Sequence, residues 1–100
     1  MVKHIILWQL KDEFSEEEKD AIRLGIKEGL EGLKGVIPGL LEIHVQCGRL
    51  ATANADVMLD STFESEEALN ADTIHPAHVA VATTKVRPNV KTRLVMDFEA

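Results

Sequence analysis

The sequence predicts an α+β fold with the element order β-α-β-β-α-β, the split βαβ arrangement of ferredoxin-like domains, built on a four-stranded antiparallel sheet. Three observations predict it. The N-terminal run Val2 to Leu10 is apolar on both faces, a capping box opens a helix at Ser15, and two later stretches alternate apolar and polar residues with a period of two. A second helical region and a last apolar strand complete the order.

Val2 to Leu10 is short and rich in branched and aromatic residues, as a strand is. Val2, His4, Ile6, Trp8 and Leu10 share one face, and Ile5 and Leu7 the other, so both faces need cover. In Ser15-Glu16-Glu17-Glu18 the Ser15 hydroxyl can accept from the Glu18 amide while the Glu18 carboxylate reaches back, and acidic residues suit the positive end of the helix dipole. Ile22, Ile26, Leu30 and Leu33 then form one apolar stripe, and Lys34-Gly35 supplies a basic last turn and a left-handed cap, placing the first helix at residues 15–34. Gly25, Gly29 and Gly32 lie inside it, each costing about 1 kcal/mol relative to Ala. Close approach of the helix backbone to the sheet is the expected compensation.

After the turn at Pro38-Gly39, Leu41, Ile43, Val45 and Cys47 alternate with Glu42, His44 and Gln46, giving a strand with one polar side. A small-residue loop from Arg49 to Asn54 leads to a third strand, in which Val57, Leu59, Ser61 and Phe63 form the apolar set. Ser65 caps a second helix through Leu69, which must break at His75-Pro76 because a residue before proline avoids helical dihedrals. The helix resumes with Val79, Ala82 and Val86 at helical spacing until Arg87-Pro88-Asn89, and Arg93 to Phe98 forms the final strand. With helices on one sheet face, Ile5, Leu7, Met58, Leu94, Met96 and Phe98 are left on the other. An apolar patch of that size predicts pairing with a second copy in a two-fold dimer.

One hundred residues suit a single domain, residues 1–100, with one core. A net charge of -6 with eleven scattered Lys and Arg residues argues against nucleic-acid binding. The apolar run Ile5 to Trp8 stops at Gln9, too short for a signal or a membrane span, and Cys47 has no partner for an intramolecular disulfide. The expected location is the reducing cytoplasm.

Among side chains able to do chemistry, His78 can act as a general base, because an imidazole exchanges protons near neutral pH, and a buried carboxylate such as Asp72 can tune it. Its structural alternative is a hydrogen bond to a backbone carbonyl, with His75 closing the helix break. His4 stands beside Ile6 and Trp8, where burial disfavours its charged form; it either binds a ligand oxygen or is a satisfied core histidine. His75, His78 and Asp72 make a poor metal site, since no Cys or further His lies at ligand spacing, so no metal and no cofactor are expected. Glu16, Glu17 and Glu18 are explained by capping, His44 by solvation, and Cys47 by burial as a small hydrophobe.

Three passages together carry a family likeness: Val2-Lys3-His4-Ile5-Ile6-Leu7-Trp8-Gln9-Leu10-Lys11, Thr62-Phe63-Glu64-Ser65-Glu66-Glu67-Ala68, and His75-Pro76-Ala77-His78. In order and spacing they resemble the stress-responsive A/B barrel domain, or Dabb, across essentially the whole chain. The resemblance implies a dimeric α/β barrel in which the sheets of two subunits face each other. One branch of that family is a plant polyketide cyclase that closes a linear polyketide by aldol condensation without a cofactor. There the second histidine of the His-Pro-Ala-His motif is the acid/base, aided by a tyrosine before the motif. His78 matches that histidine and His4 matches another in the pocket between sheet and helices. Asp72 stands at the tyrosine position in a chain with no tyrosine, and Val57 stands where the cyclase has a further histidine.

The resulting expectation is a homodimer holding a modest apolar pocket in each subunit, lined by His4, Ile6, Trp8, Ile22, Ile26, Leu59, His75 and His78, for a small apolar or aromatic ligand. If it is an enzyme, it performs a cofactor-free cyclase- or lyase-type reaction with His78 as base, assisted by His4 and Asp72. A non-catalytic stress or structural protein, and a cofactor-free monooxygenase of the wider barrel superfamily, are the alternatives.

Overall fold

A computed structural model describes all residues, Met1–Ala100. Strand β1 (Val2–Leu10) leads to helix α1 (Glu16–Glu31), followed by strands β2 (Leu40–Gln46) and β3 (Val57–Phe63). Helices α2 (Glu66–Ile74) and α3 (Pro76–Val81) follow, then a π-helical turn (Ala82–Val86), a 3-10 turn (Arg87–Asn89) and strand β4 (Val90–Glu99). The sheet order is β2-β3-β1-β4, with all neighbouring strands antiparallel. This is the ferredoxin-like α+β architecture. No helix is long and apolar enough to cross a membrane.

The two faces of β1 behave differently. Val2, His4, Ile6, Trp8 and Leu10 are all buried beneath the helices, together with Val57, Leu59 and Phe63 of β3 and Ile26 and Leu30 of α1. On the opposite face, register places Met58, Leu7 and Leu94 in a row across three strands, with Ile5 beside Met96 and Phe98 beside Lys3. Leu94, Met96 and Phe98 remain 64%, 63% and 42% exposed, so this face is a continuous apolar surface in the isolated subunit.

Local chemistry explains the element ends. Ser15 accepts from the Glu18 amide and Glu18 from the Ser15 amide, completing the capping box of α1. Ser65 caps α2 by accepting from the Ala68 amide. His75 takes an extended conformation (φ -66°, ψ 130°), so α2 stops and α3 begins with Pro76 in its first turn. Gly39 is needed twice over: its φ is +81°, and an added Cβ would lie 2.5 Å from the Ala68 Cβ. On the outer edge of β2, the Val45 amide donates to Glu31 and the Val45 carbonyl accepts from Lys27, so α1 side chains cover that edge.

Five expectations are corrected. Helix α1 ends at Glu31 rather than Lys34, because Leu33, Lys34 and Val36 close tight three-residue turns instead, and Lys34 pairs with Glu42 at 3.2 Å. Gly29 approaches a helix and not the sheet: an added Cβ would stand 2.9 Å from Cγ1 of Val81. A register slip between Leu40 and Glu42 buries Leu40 and turns Leu41 outward, so the alternation begins only at Ile43. The π-helical turn displaces the helical spacing, leaving Val79 38% exposed while Val86 is buried. Strand β4 begins at Val90 rather than Arg93 and runs to Glu99.

Candidate functional site

A cavity of about 520 Å³ lies between the sheet and the helical layer. Its floor is Ile6, Trp8 and Leu59, and its helical walls include Leu30, Asp72, His78 and Val86. His4 lies at one end of the β1 segment that lines it. The alternation of β1 puts His4, Ile6 and Trp8 in line on the buried face.

Helix α2 carries Asp72 in its last turn, where the backbone carbonyl of Asp72 accepts from the His75 amide. The side chain is 6% exposed and has no hydrogen bond, and His78 Nδ1 stands 3.5 Å from its Oδ2. Burial pushes the Asp72 carboxyl above the usual carboxylate range, against the pull of His78, His4 and His75. The helix break positions the pair: with α2 stopped at Ile74 and α3 restarted by Pro76, His78 falls in the first turn of α3, half-buried against Asp72.

His4 is held from the neighbouring strand. Antiparallel register sets His4 of β1 opposite Asp97 of β4, and His4 Nδ1 donates to the Asp97 carboxylate. A carboxylate only accepts, so Nδ1 carries the proton of this bond and Asp97 sets the orientation of the ring. The imidazole also meets the Phe63 ring edge-on, with centroids 6.2 Å apart. Trp8 is 4% exposed and its indole N–H has no partner, leaving an unspent donor on a cavity residue.

The structure therefore brings His4, Asp72, His78, Ile6, Trp8 and Leu59 to one cavity. Ile22, Ile26 and His75 are not among its lining. Ile26 is fully buried in the core and Ile22 packs against that core, because their stripe on α1 points to the sheet ahead of the cavity, which Leu30 reaches. The His75 ring turns back to accept from the Ala77 amide at 3.1 Å as the cap of α3. No group of three His, Cys, Asp or Glu side chains is arranged to hold a metal ion.

Several residues at the site were not anticipated. Asp97 reaches His4 only through strand pairing, and Thr73, Arg87, Lys91, Thr92 and Arg93 line the cavity from α2, the 3-10 turn and β4. Arg87 beside Pro88 reads locally as a helix stop and Arg93 as the start of a strand, so neither carries a local signal of the cavity they share.

The stress responsive A/B barrel domain matches this chain over residues 2–100. The chain belongs to that family. A Dabb chain of this kind has well-matched neighbours among solved structures. A dimeric protein of unknown function with a ferredoxin-like fold from Bacteroides fragilis superposes with a TM-score of 0.92 at 28% identity, covering 99% of this chain and 95% of that one. A protein from Arabidopsis thaliana gives a TM-score of 0.75 at 28% identity, covering 100% of this chain and 95% of that one. The hydroxynitrile lyase from Passiflora edulis gives 0.71 at 18% identity, covering 97% of this chain and 90% of that one, a likeness of fold alone. No curated protein matches the chain.

Proposed function

We propose that this Dabb domain is a homodimeric, cofactor-free acid–base catalyst acting on a small, largely apolar carbonyl compound held between sheet and helices. The observation that carries the reading is Asp72: a nearly buried carboxyl without a hydrogen bond, 3.5 Å from the imidazole of His78, on a cavity wall. A carboxyl kept in such a place costs stability, which fits a group retained for proton transfer.

In the proposed reaction His78 removes a proton, either from the carbon between two carbonyls or from the hydroxyl of a cyanohydrin. In the first case the enolate carbon adds to a second carbonyl within the same molecule, one C–C bond forms, and the new alkoxide takes a proton back. In the second the C–C bond to cyanide breaks and cyanide leaves with its electron pair. Asp72 steadies the imidazolium during either step. The His78 imidazolium then returns its proton to the alkoxide or to the departing cyanide, while His4, with its Nδ1 proton committed to Asp97, leaves Nε2 to accept from a substrate hydroxyl.

Dimerisation would use the apolar sheet face of Leu7, Leu94, Met96 and Phe98, in keeping with the dimeric neighbour from Bacteroides fragilis. Leu94→Asp is expected to convert the dimer to a monomer in sedimentation velocity at micromolar concentration; an unchanged dimer would place the interface elsewhere.

The catalytic reading is tested with poly-β-keto thioesters and cyanohydrins in metal-free buffer. Wild-type turnover that falls at least about 100-fold in His78→Gln supports it. Turnover that survives the substitution, or none on either class, contradicts it. A purely structural reading draws on the satisfied His4–Asp97 pair and the His75 cap, and predicts that His78→Gln lowers the melting temperature with no turnover to lose.

A further inference from the structure

The four arginines of the chain divide sharply. Arg23 and Arg49 both pair with Asp56, at 3.0 and 3.8 Å, and Arg23 also pairs with Asp20. Arg87 and Arg93 have no carboxylate partner, and both line the cavity. Lys91, whose ammonium group meets Asp12 at 2.7 Å, lies on the same wall. In a chain of net charge -6, three cations gathered at one cavity with Asp72 as its only carboxylate is a local reversal of sign.

Strand register says where the cations stand. Arg93 pairs with Trp8 and Thr92 with Gln9, whereas His4, next to the acid–base group, pairs with Asp97 at the other end of β4. His4 and Trp8 stand four positions apart on β1, about 13 Å along the strand. The floor between these ends is apolar, made of Ile6, Trp8 and Leu59. The cavity thus has a proton-transfer end, a greasy middle and a cationic end.

We infer that the cavity binds an amphipathic oxyanion, a compound with an apolar body and a terminal carboxylate or phosphoryl group, whose charged end is held by Arg87 and Arg93 while its body lies over Ile6 and Trp8. Guanidinium groups suit this role because their forked donors take two oxygens of one carboxylate or phosphate. The Trp8 ring supplies apolar surface to the same cavity. This inference rests on reading the cavity as a ligand site and names the ligand's class.

Trp8 is the only tryptophan in the chain and a cavity residue, so its fluorescence reports occupancy directly. The wild-type dimer is titrated with octanoate, octyl phosphate and 1-octanol. The expected result is that at least one of the two anions binds about tenfold or more tighter than the alcohol, and that the preference shrinks as salt is raised. Whichever anion binds tighter identifies the headgroup. Arg87→Gln with Arg93→Gln, at two exposed positions outside the core, should remove most of that preference, while Lys34→Gln, an exposed cation away from the cavity, should leave it intact. Alcohol binding as tight as the anions, affinity unchanged in the double variant, equal loss in Lys34→Gln, or no binding of either anion at about 1 mM overturns the inference. Turnover is not read in this titration, so its failure leaves the His78 assay to decide the catalytic reading separately.

Discussion

Two aspartates are sunk into this domain, and their surroundings are opposite. Asp56, just before β3, accepts from the Leu10 amide at 2.8 Å and from Arg23 at 3.0 Å, with Arg49 at 3.8 Å. Burial alone would raise its carboxyl, but these partners outweigh it and hold the group below the usual carboxylate range. Asp72 has only His78 at 3.5 Å, and there burial prevails and pushes the carboxyl up. One carboxylate ties α1 and the Arg49 loop to the end of β1; the other lines a cavity with no side-chain hydrogen bond inside the protein. The contrast teaches that burial by itself does not set the direction of a carboxyl's shift: the hydrogen-bond and charge partners around it do.

The largest effect should come from Asp56→Ala. It strands Arg23, whose Nε already lacks a partner, and is expected to cost about 3–5 kcal/mol in urea unfolding. A loss below about 1 kcal/mol would erase the structural half of the contrast. Asp72→Asn should by contrast leave stability at pH 7 unchanged or improved, because it removes a carboxyl that is ill at ease in its site. A loss comparable to that of Asp56→Ala would show Asp72 to be structural as well.

The two groups should also diverge with pH. Because its folded pKa is lowered, Asp56 contributes stability that is present above its unfolded value near 3.8 and lost as pH falls through the lowered value. Asp72, with its folded pKa raised, favours the folded state below that same unfolded value and loses this contribution as pH rises through the raised one. Unfolding curves of wild type and Asp72→Asn should therefore separate in favour of the variant as pH rises above about 4. A smaller loss than at Asp56 is expected at Gly29, which packs against Val81. Overpacking against Val81 costs about 1–3 kcal/mol and helix propensity returns about 1, so Gly29→Ala should lose about 1 kcal/mol net and recover much of it when combined with Val81→Ala. Stabilisation by Gly29→Ala alone would mean that the two helices can move apart freely.

Much of the fold is legible in local chemistry. The Ser15–Glu18 capping box, the alternation of Val57 to Phe63 and the break at His75-Pro76 are each written in a few adjacent residues, and each appears where those residues place it. The displaced details are cooperative: the slip at Leu40 and the π-helical turn at Ala82 depend on how elements dock, which no window of sequence contains. The same division runs through the site. His4 and Asp72 are recognisable from residue type and position, but Asp97 meets His4 only through the pairing of β1 with β4. Arg87 and Arg93 become one wall only when β4 closes beside β1.

Carbon-13 NMR titration of the aspartate carboxyls compares both buried groups in one sample. The account predicts that Asp72 titrates above 3.8 and Asp56 below it, with Asp72 moving higher still when His78→Gln removes the neighbouring positive charge. An Asp72 midpoint at or below that of an ordinary exposed aspartate would contradict the assignment of this carboxyl, and the cavity around it, as the functional centre.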